Sequence, residues 1–190
     1  LIANQAKIKD NAAVFARLAR KLEKVNDQYD IVIIDAPPAL DLYARIALIA
    51  ADYLIIPSDL KPFSNQGLDS VKNFVQEEIN ESRGDLGKPT LQILGVLPSK
   101  ISTHAQYLRY NFPKQKQVIP DKYNLPLMES TISERMPLSR CINQYVTVGD
   151  LEIPAPQSII DYAEHQADAG VSAAEFEALA LEVLAKIGVK

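Results

Sequence analysis

Apolar residues recur along this chain in two rhythms. Between residues 5 and 26 they fall at three- and four-residue steps, at Ile8, Ala12, Phe15, Leu18, Leu22 and Val25, with Arg17, Arg20, Lys21 and Lys24 at other positions. That spacing predicts an amphipathic helix. Asn26–Asp30 breaks it. Ile31–Ile34 is then an unbroken β-branched run, the composition of a strand buried on both faces. It ends at Asp35-Ala36-Pro37-Pro38, where proline has no N–H for a ladder. Helical spacing returns over 40–51 with Leu42, Ile46 and Ile49. Tyr53–Ile56 predicts a second strand, stopped by Pro57. Leu68, Val71, Phe74, Val75 and Ile79 mark another helix, for which Ser64 is a plausible N-cap. Ser82, Arg83, Gly84, Asp85, Gly87 and Pro89 read as a surface turn. Leu91–Leu97 predicts a third strand, residues 104–112 a short helix and Gln117–Ile119 a fourth strand.

Strands alternating with helices predict an α/β fold: a mostly parallel sheet with helices on both faces. In such sheets ligands sit beyond the carboxyl ends of the strands. Those ends carry Asp35 to Pro38, Pro57-Ser58-Asp59, Pro98-Ser99-Lys100 and Pro120-Asp121-Lys122. Each offers a polar group beside a proline. The C-terminal forty residues differ. Ile153–Gln157 is proline-rich, and Ser172-Ala173-Ala174-Glu175 reads as a capping box. Phe176, Leu179, Val183, Leu184 and Ile187 then form a helical stripe with Gly188 as its stop, expected to pack on the sheet. Residues 1–150 are thus expected to form one domain, with 151–190 as an acidic extension packed on it.

Composition narrows the class. The chain has 190 residues, 47% hydrophobic and 23% charged, as in folded soluble domains. Its single cysteine, Cys141, excludes an internal disulfide framework and suits a reducing compartment. Two histidines and one cysteine, far apart, argue against structural zinc. No apolar run approaches the ~20 residues of a membrane span. The net charge of −4 is unevenly spread: residues 99–149 carry seven basic and three acidic groups, and residues 150–190 two basic and eight acidic. A basic island attracts phosphates, although a solvated surface reads the same way.

Asp35 carries the sharpest chemistry. Burial at the end of an apolar rod raises a carboxyl pKa, and a hydrated magnesium ion nearby would keep it ionised. From four apolar residues and an aspartate alone, a helix cap or turn remains the alternative.

The segment Tyr29–Leu40 resembles the Walker B region of the ParA/MinD family of deviant-Walker ATPases. Ala51–Pro57, followed by Phe63-Ser64-Asn65-Gln66-Gly67-Leu68, resembles the next strand and loop of the partition (ParA/Soj-like) branch. Ile93–Leu97 resembles the following strand. Ile119-Pro120, with Glu129 and Pro137, resembles the late nucleotide-base region. The likeness runs from about Tyr29 to about Leu138. The first motif alone also fits bacterial tyrosine kinases of polysaccharide export, but the tail holds no tyrosine cluster, and the Pro57–Leu68 loop favours the partition branch.

The resemblance implies a P-loop NTPase-like fold with ATP and Mg2+ as cofactors. Asp35 would hold the magnesium through water and take part in catalysis, and Pro37 and Pro38 would shape the switch. Asp59 and Lys61 would approach the nucleotide or a dimer partner. Ser99 and Lys100 would face the base, and Pro120, Asp121 and Lys122 would line its pocket, although Asp121 stands where the family has a basic residue. Arg109, Lys114, Lys116, Arg135 and Arg140 fall where partition ATPases carry basic residues for nonspecific DNA, and an ordinary surface accounts for each equally well. The implied partners are a second copy in the ATP state, DNA, and an adaptor that stimulates hydrolysis. The implied place is the cytoplasm or nucleoid, with no membrane partner. The cargo would be DNA or another cellular body.

Phosphoryl transfer also needs a glycine-rich backbone cradle and a lysine. No Gly-x-x-x-x-Gly-Lys-Ser/Thr occurs here. The expectation is that this chain corresponds to the C-terminal portion of such an ATPase and is inactive alone. A non-catalytic interaction module that keeps the sheet is the rival reading.

Overall fold

A computed structural model of the chain describes residues 14–189. Its contacts divide the chain into two compact units, one running to Leu54 and including Gln66–Ile93, the other made of Ile55–Asn65 and Leu94–Lys190.

The first unit is mainly helical. In α1 (residues 14–23) Ala16 and Ala19 are buried, whereas Phe15, Leu18 and Leu22 of the predicted stripe are only half-buried, so the most buried line lies beside the predicted one. The part of that predicted helix before residue 14 lies outside the described residues. Helix α2 (Leu42–Ala50) starts at Asp41, whose Oδ1 accepts the N–H groups of Tyr43 (2.9 Å) and Ala44 (3.1 Å). Strand β1 (Tyr53–Ser58) and a short α3 (Pro62–Asn65) follow, of which Ile55–Asn65 belongs to the second unit. Helix α4 (Leu68–Asn73) continues through a π-helical segment (Phe74–Ile79) into α5 (Asn80–Asp85). Leu48, Ile49, Phe74, Val75, Ile79 and Leu91 make its core. Two expectations fail here. Ser82–Asp85 is helix rather than surface turn, because Arg83 points inward and bonds the core. Ser64 lies within α3, and Gly67 precedes α4.

Strand β2 (Gln92–Ile101) is central in a sheet ordered β1-β2-β3, where β3 is Ile132–Ser133. β2 and β3 are parallel, Ser99 facing Ile132 and Ile101 facing Ser133, and Val96 bridges Leu127 in the same sense. The architecture is α/β with a parallel sheet, as predicted. Gly95 allows the close approach: a Cβ there would lie 3.2 Å from the Pro126 carbonyl and 2.9 Å from Met128 Cγ.

The predicted strand Gln117–Ile119 is instead the middle of a helix. A π-helical turn (Tyr107–Asn111) leads into α6 (Phe112–Tyr123), closed by Asn124 at φ 49°. Ile119 and Tyr123 are its buried residues, four apart, and so short an apolar stretch cannot separate strand from helix by periodicity. The third strand comes later, at Ile132.

Helix α7 (Met136–Ile142), a hairpin of β4 (Tyr145–Val148) and β5 (Leu151–Pro154), α8 (Ile159–His165) and α9 (Gly170–Ile187) complete the second unit. Gly188 ends α9 at φ 78°, as predicted. Leu179 and Val183 pack on Leu97, Met128 and Ile132. The capping box does not form: α9 has begun by Gly170, and Glu175 turns to β3 instead. Among the described residues no helix is long and apolar enough to cross a membrane.

Candidate functional site

Asp35 lies in the first unit on a segment without regular structure, residues 31–37. Ile33 is 91% exposed, and Asp35, Pro37 and Pro38 are exposed too. The doubly buried strand predicted over Ile31–Ile34 is therefore absent. The reason is pairing: a strand persists only where its backbone groups find a ladder, and no described strand lies beside this segment. The helix-cap role that competed for Asp35 belongs to Asp41. Asp35 is left as an exposed carboxylate with no hydrogen bond or ion pair among the described residues.

In the second unit the end of β1 is tied into a rigid turn. The Ser58 hydroxyl donates to Asn65 Oδ1 (2.9 Å) and accepts the Leu60 N–H (3.0 Å), while Asn65 Nδ2 donates to the Leu60 carbonyl (3.0 Å). Leu60 is buried at φ 60°, a conformation such a residue adopts only when its surroundings impose it. Asp59 Oδ1 accepts the Lys61 N–H (3.0 Å), and Lys61 Nζ lies 3.2 Å from Oδ2. Burial acts to raise the Asp59 pKa, but hydrogen bonds from Ser64 and Lys61 and the Lys61 charge outweigh it and hold the carboxyl below its ordinary value. Phe63 projects at the tip. The sequence marks Asp59 and Lys61 and carries Asn65 only within the Phe63–Leu68 motif, because its bonds depend on the fold closing around it.

At the end of β2, Lys100 has φ 55° and sits where the β2–β3 register shifts between Ser99 and Ile101. A bulge of this kind re-aims a side chain. Lys100 is exposed and Ser99 half-buried. Both are at a strand tip, as the sequence predicts.

Pro120, Asp121 and Lys122 are not at a strand tip. They form the exposed last turn of α6, where Asp121 accepts from Gln117 Nε2 (3.2 Å) and Lys122 Nζ lies 5.0 Å from the Tyr123 ring centroid. Their placement as the end of a fourth strand is overturned because that strand is helix.

The basic residues separate into two groups. Arg109, Lys114 and Lys116 lie on the continuous Tyr107–Tyr123 helix, with Arg109 5.2 Å from the Tyr110 ring and Lys116 5.6 Å from that of Phe112. Within this helix Tyr107 donates to Gln115 Oε1 (2.6 Å), and burial pushes its phenol pKa up. Arg135 and Arg140 are engaged elsewhere, Arg135 with Glu175 (3.6 Å) and Arg140 with Asp168 (3.1 Å).

Comparison with known proteins adds an independent line. A family profile described as an AAA domain matches residues 1–93. The chain is 30% identical over 138 residues to a virulence plasmid ParA family protein, pGP5-D, of Chlamydia psittaci, covering 70% of this chain and 47% of that protein. It is 30% identical over 148 residues to the maintenance of carboxysome distribution protein A of Synechococcus elongatus, covering 72% of this chain and 54% of that one. Among solved structures it resembles an aspartate-to-alanine variant of Cyanothece McdA in complex with ATP, at a TM-score of 0.61 and 21% identity over 99% of this chain and 63% of that chain. The chain spans about half the length of these curated relatives.

Proposed function

Because this chain belongs to the ParA/MinD family of P-loop ATPases, we propose that the protein containing it is an ATP-dependent positioning machine, which moves DNA or another cellular cargo by nucleotide-controlled dimerisation and nonspecific DNA binding. The observation that carries this reading is Asp35. Its carboxylate, unpaired among the described residues, follows an apolar run and precedes Pro37-Pro38, inside the stretch that the family profile matches.

The described residues fit the metal side of a magnesium–nucleotide site. Asp35 supplies a hard, exposed oxygen, and magnesium needs only one or two carboxylates besides water and phosphate. They do not supply the phosphate side, since no described glycines form a cradle with a lysine. Asp35 would hold the metal through water. Bound magnesium supplies charge neutralisation on the phosphate oxygens. Pro37 and Pro38 restrict the backbone that follows Asp35 and limit its alternative positions. Ser99 and Lys100 are proposed to face the base, with Asp59 and Lys61 at the neighbouring tip. Pro120, Asp121 and Lys122 carry no role in this reading, because their strand-tip placement is lost. Arg109, Lys114 and Lys116 would contact DNA phosphates, and an adaptor would stimulate hydrolysis.

The test is ATP turnover by the full-length protein. Asp35→Ala is expected to lower it by roughly a hundredfold or more with unchanged circular dichroism. Wild-type turnover in that variant would refute the assignment. Absence of ATP binding by the unmodified full-length protein would favour the non-catalytic interaction module.

A further inference from the structure

The β4–β5 hairpin has one wholly aliphatic face. The register pairs Val146 with Ile153 and Val148 with Leu151, and Tyr145 with Pro154 and Thr147 with Glu152. Residues paired across an antiparallel ladder share a face, and alternate residues take opposite faces. Val146, Val148, Leu151 and Ile153 therefore lie together, and Glu152 lies on the other side. Nothing described covers the four: they are 49%, 58%, 67% and 44% exposed. A two-stranded ribbon with an apolar face usually gains its stability from packing against a further element.

The hairpin is held at its root. The Ala155 N–H donates to the Gln144 carbonyl (2.7 Å) and the Gln157 N–H to that of Cys141 (2.9 Å), and Cys141 is in a core with Ile159, Tyr162 and Ala169. Gly149 at φ 64° makes the two-residue turn with Asp150. The face is thus presented on an anchored scaffold.

Charge and area select its occupant. From Cys141 to Ala185 the chain has no lysine or arginine against eight carboxylates. Of these, Asp150, Glu152, Asp161, Glu164 and Glu177 pair with no cation among the described residues, and Asp150 and Glu152 stand on the hairpin itself. An anionic membrane or nucleic acid would be repelled by this field. The four side chains expose only roughly 400 Å², about half of what each partner buries in a stable protein–protein interface, too little for two copies to associate through it. An amphipathic helix docks through the few anchor side chains of one apolar stripe.

We propose that this aliphatic hairpin face docks an amphipathic helix of another protein, one whose apolar stripe is flanked by lysine or arginine. The proposal does not depend on the nucleotide reading of Asp35.

The probe is a fluorescent synthetic helix of about 18 residues with leucine at three- and four-residue steps and lysine elsewhere. Fluorescence anisotropy with the 190-residue chain is expected to show saturable binding, severalfold weaker at high salt. Val148→Ser with Leu151→Ser should weaken it about tenfold, and Asp150→Asn severalfold. A peptide with glutamate in place of lysine should not bind. In the unmodified chain, methyl resonances of Val146, Val148, Leu151 and Ile153 should shift on adding the lysine peptide, a readout that does not rely on the variants folding. Unchanged methyl resonances would overturn the proposal, as would equal binding by a well-folded double variant. So would self-association of the unmodified chain, or its flotation with phosphatidylglycerol vesicles, if abolished by the same substitutions.

Discussion

Arg83 shows how far a single residue can depart from its appearance in the sequence. Between Ser82 and Gly84 it reads as part of a polar turn, yet its side chain is fully buried. Nε donates to the Pro89 carbonyl (2.7 Å), and Nη1 donates to the carbonyls of Ile49 (2.9 Å), Leu48 (3.4 Å) and Ala51. The last carbonyls of a helix have no partner within it, and a cation there also opposes the negative end of the helix dipole. Asp52 lies 3.7 Å from Nη2. Burial pulls the guanidinium pKa down, and the Asp52 charge acts against that. Arg83→Met would leave several buried carbonyls unsatisfied at once, so it is expected to destabilise the chain by about 3 kcal/mol. Urea unfolding would read this as a lower midpoint, and an unchanged midpoint would show that the network carries no net stability. Gly188 is legible from sequence because a cap acts on its own helix. Arg83 is not, because the helix-end carbonyls it caps lie 32 to 35 positions away.

At the scale of elements, α9 is a clamp. Glu182 accepts the N–H groups of Glu129 (2.9 Å) and Ser130 (2.8 Å), and Glu175 accepts the Ser133 N–H (2.8 Å) and hydroxyl (2.7 Å). These two carboxylates, seven residues apart, lie beside the apolar contacts of Leu179 and Val183 and fasten β3, a strand of two residues, and the segment leading into it. Burial acts to raise the Glu182 pKa, but the Ser130 and Glu129 hydrogen bonds and the Lys186 charge outweigh it, so the folded value lies below the ordinary one. The unfolded chain therefore takes up this proton at the higher pH. The stabilisation is complete above the ordinary glutamate pKa of about 4.3 and is lost as pH falls through the lower folded value. Glu182→Gln is expected to cost about 1–2 kcal/mol at neutral pH, with the difference from wild type closing in acid. Thermal unfolding against pH measures it, and parallel curves down to the acid limb would contradict the clamp. The helical stripe of α9 is readable in sequence, but the Glu175 partner reads there as a local cap because β3 is remote from it along the chain.

For the molecule as a whole, the charge map resolves into used and unused groups. The basic excess over residues 99–149 is legible in composition, but contacts decide which members remain outward. Arg140 is held by Asp168 and Arg135 by Glu175, whereas Arg109, Lys114 and Lys116 share one exposed helix. Replacing those three with glutamine in the full-length protein is expected to weaken DNA binding on all sequences alike. It should also reduce the slope of log K against log salt by up to about 3, near 0.9 for each phosphate no longer neutralised. Arg140→Gln should leave the slope unchanged. A shift in sequence preference, or equal effects from both variants, would contradict this division.

Local chemistry wrote the helices α2 and α9, the strands β1 and β2, the stop at Gly188 and the family signature around Asp35 directly into the order of residues. Periodicity, proline and glycine act within a few positions, so a reader of the chain recovers them. The contacts of the folded chain settled the rest: that Ile31–Ile34 finds no ladder among the described residues, that Gln117–Ile119 coils while Ile132–Ser133 pairs, and that an arginine in an apparent turn caps a distant helix. A ladder or a buried cation is completed by groups from elsewhere in the chain, and no short window of sequence contains both halves.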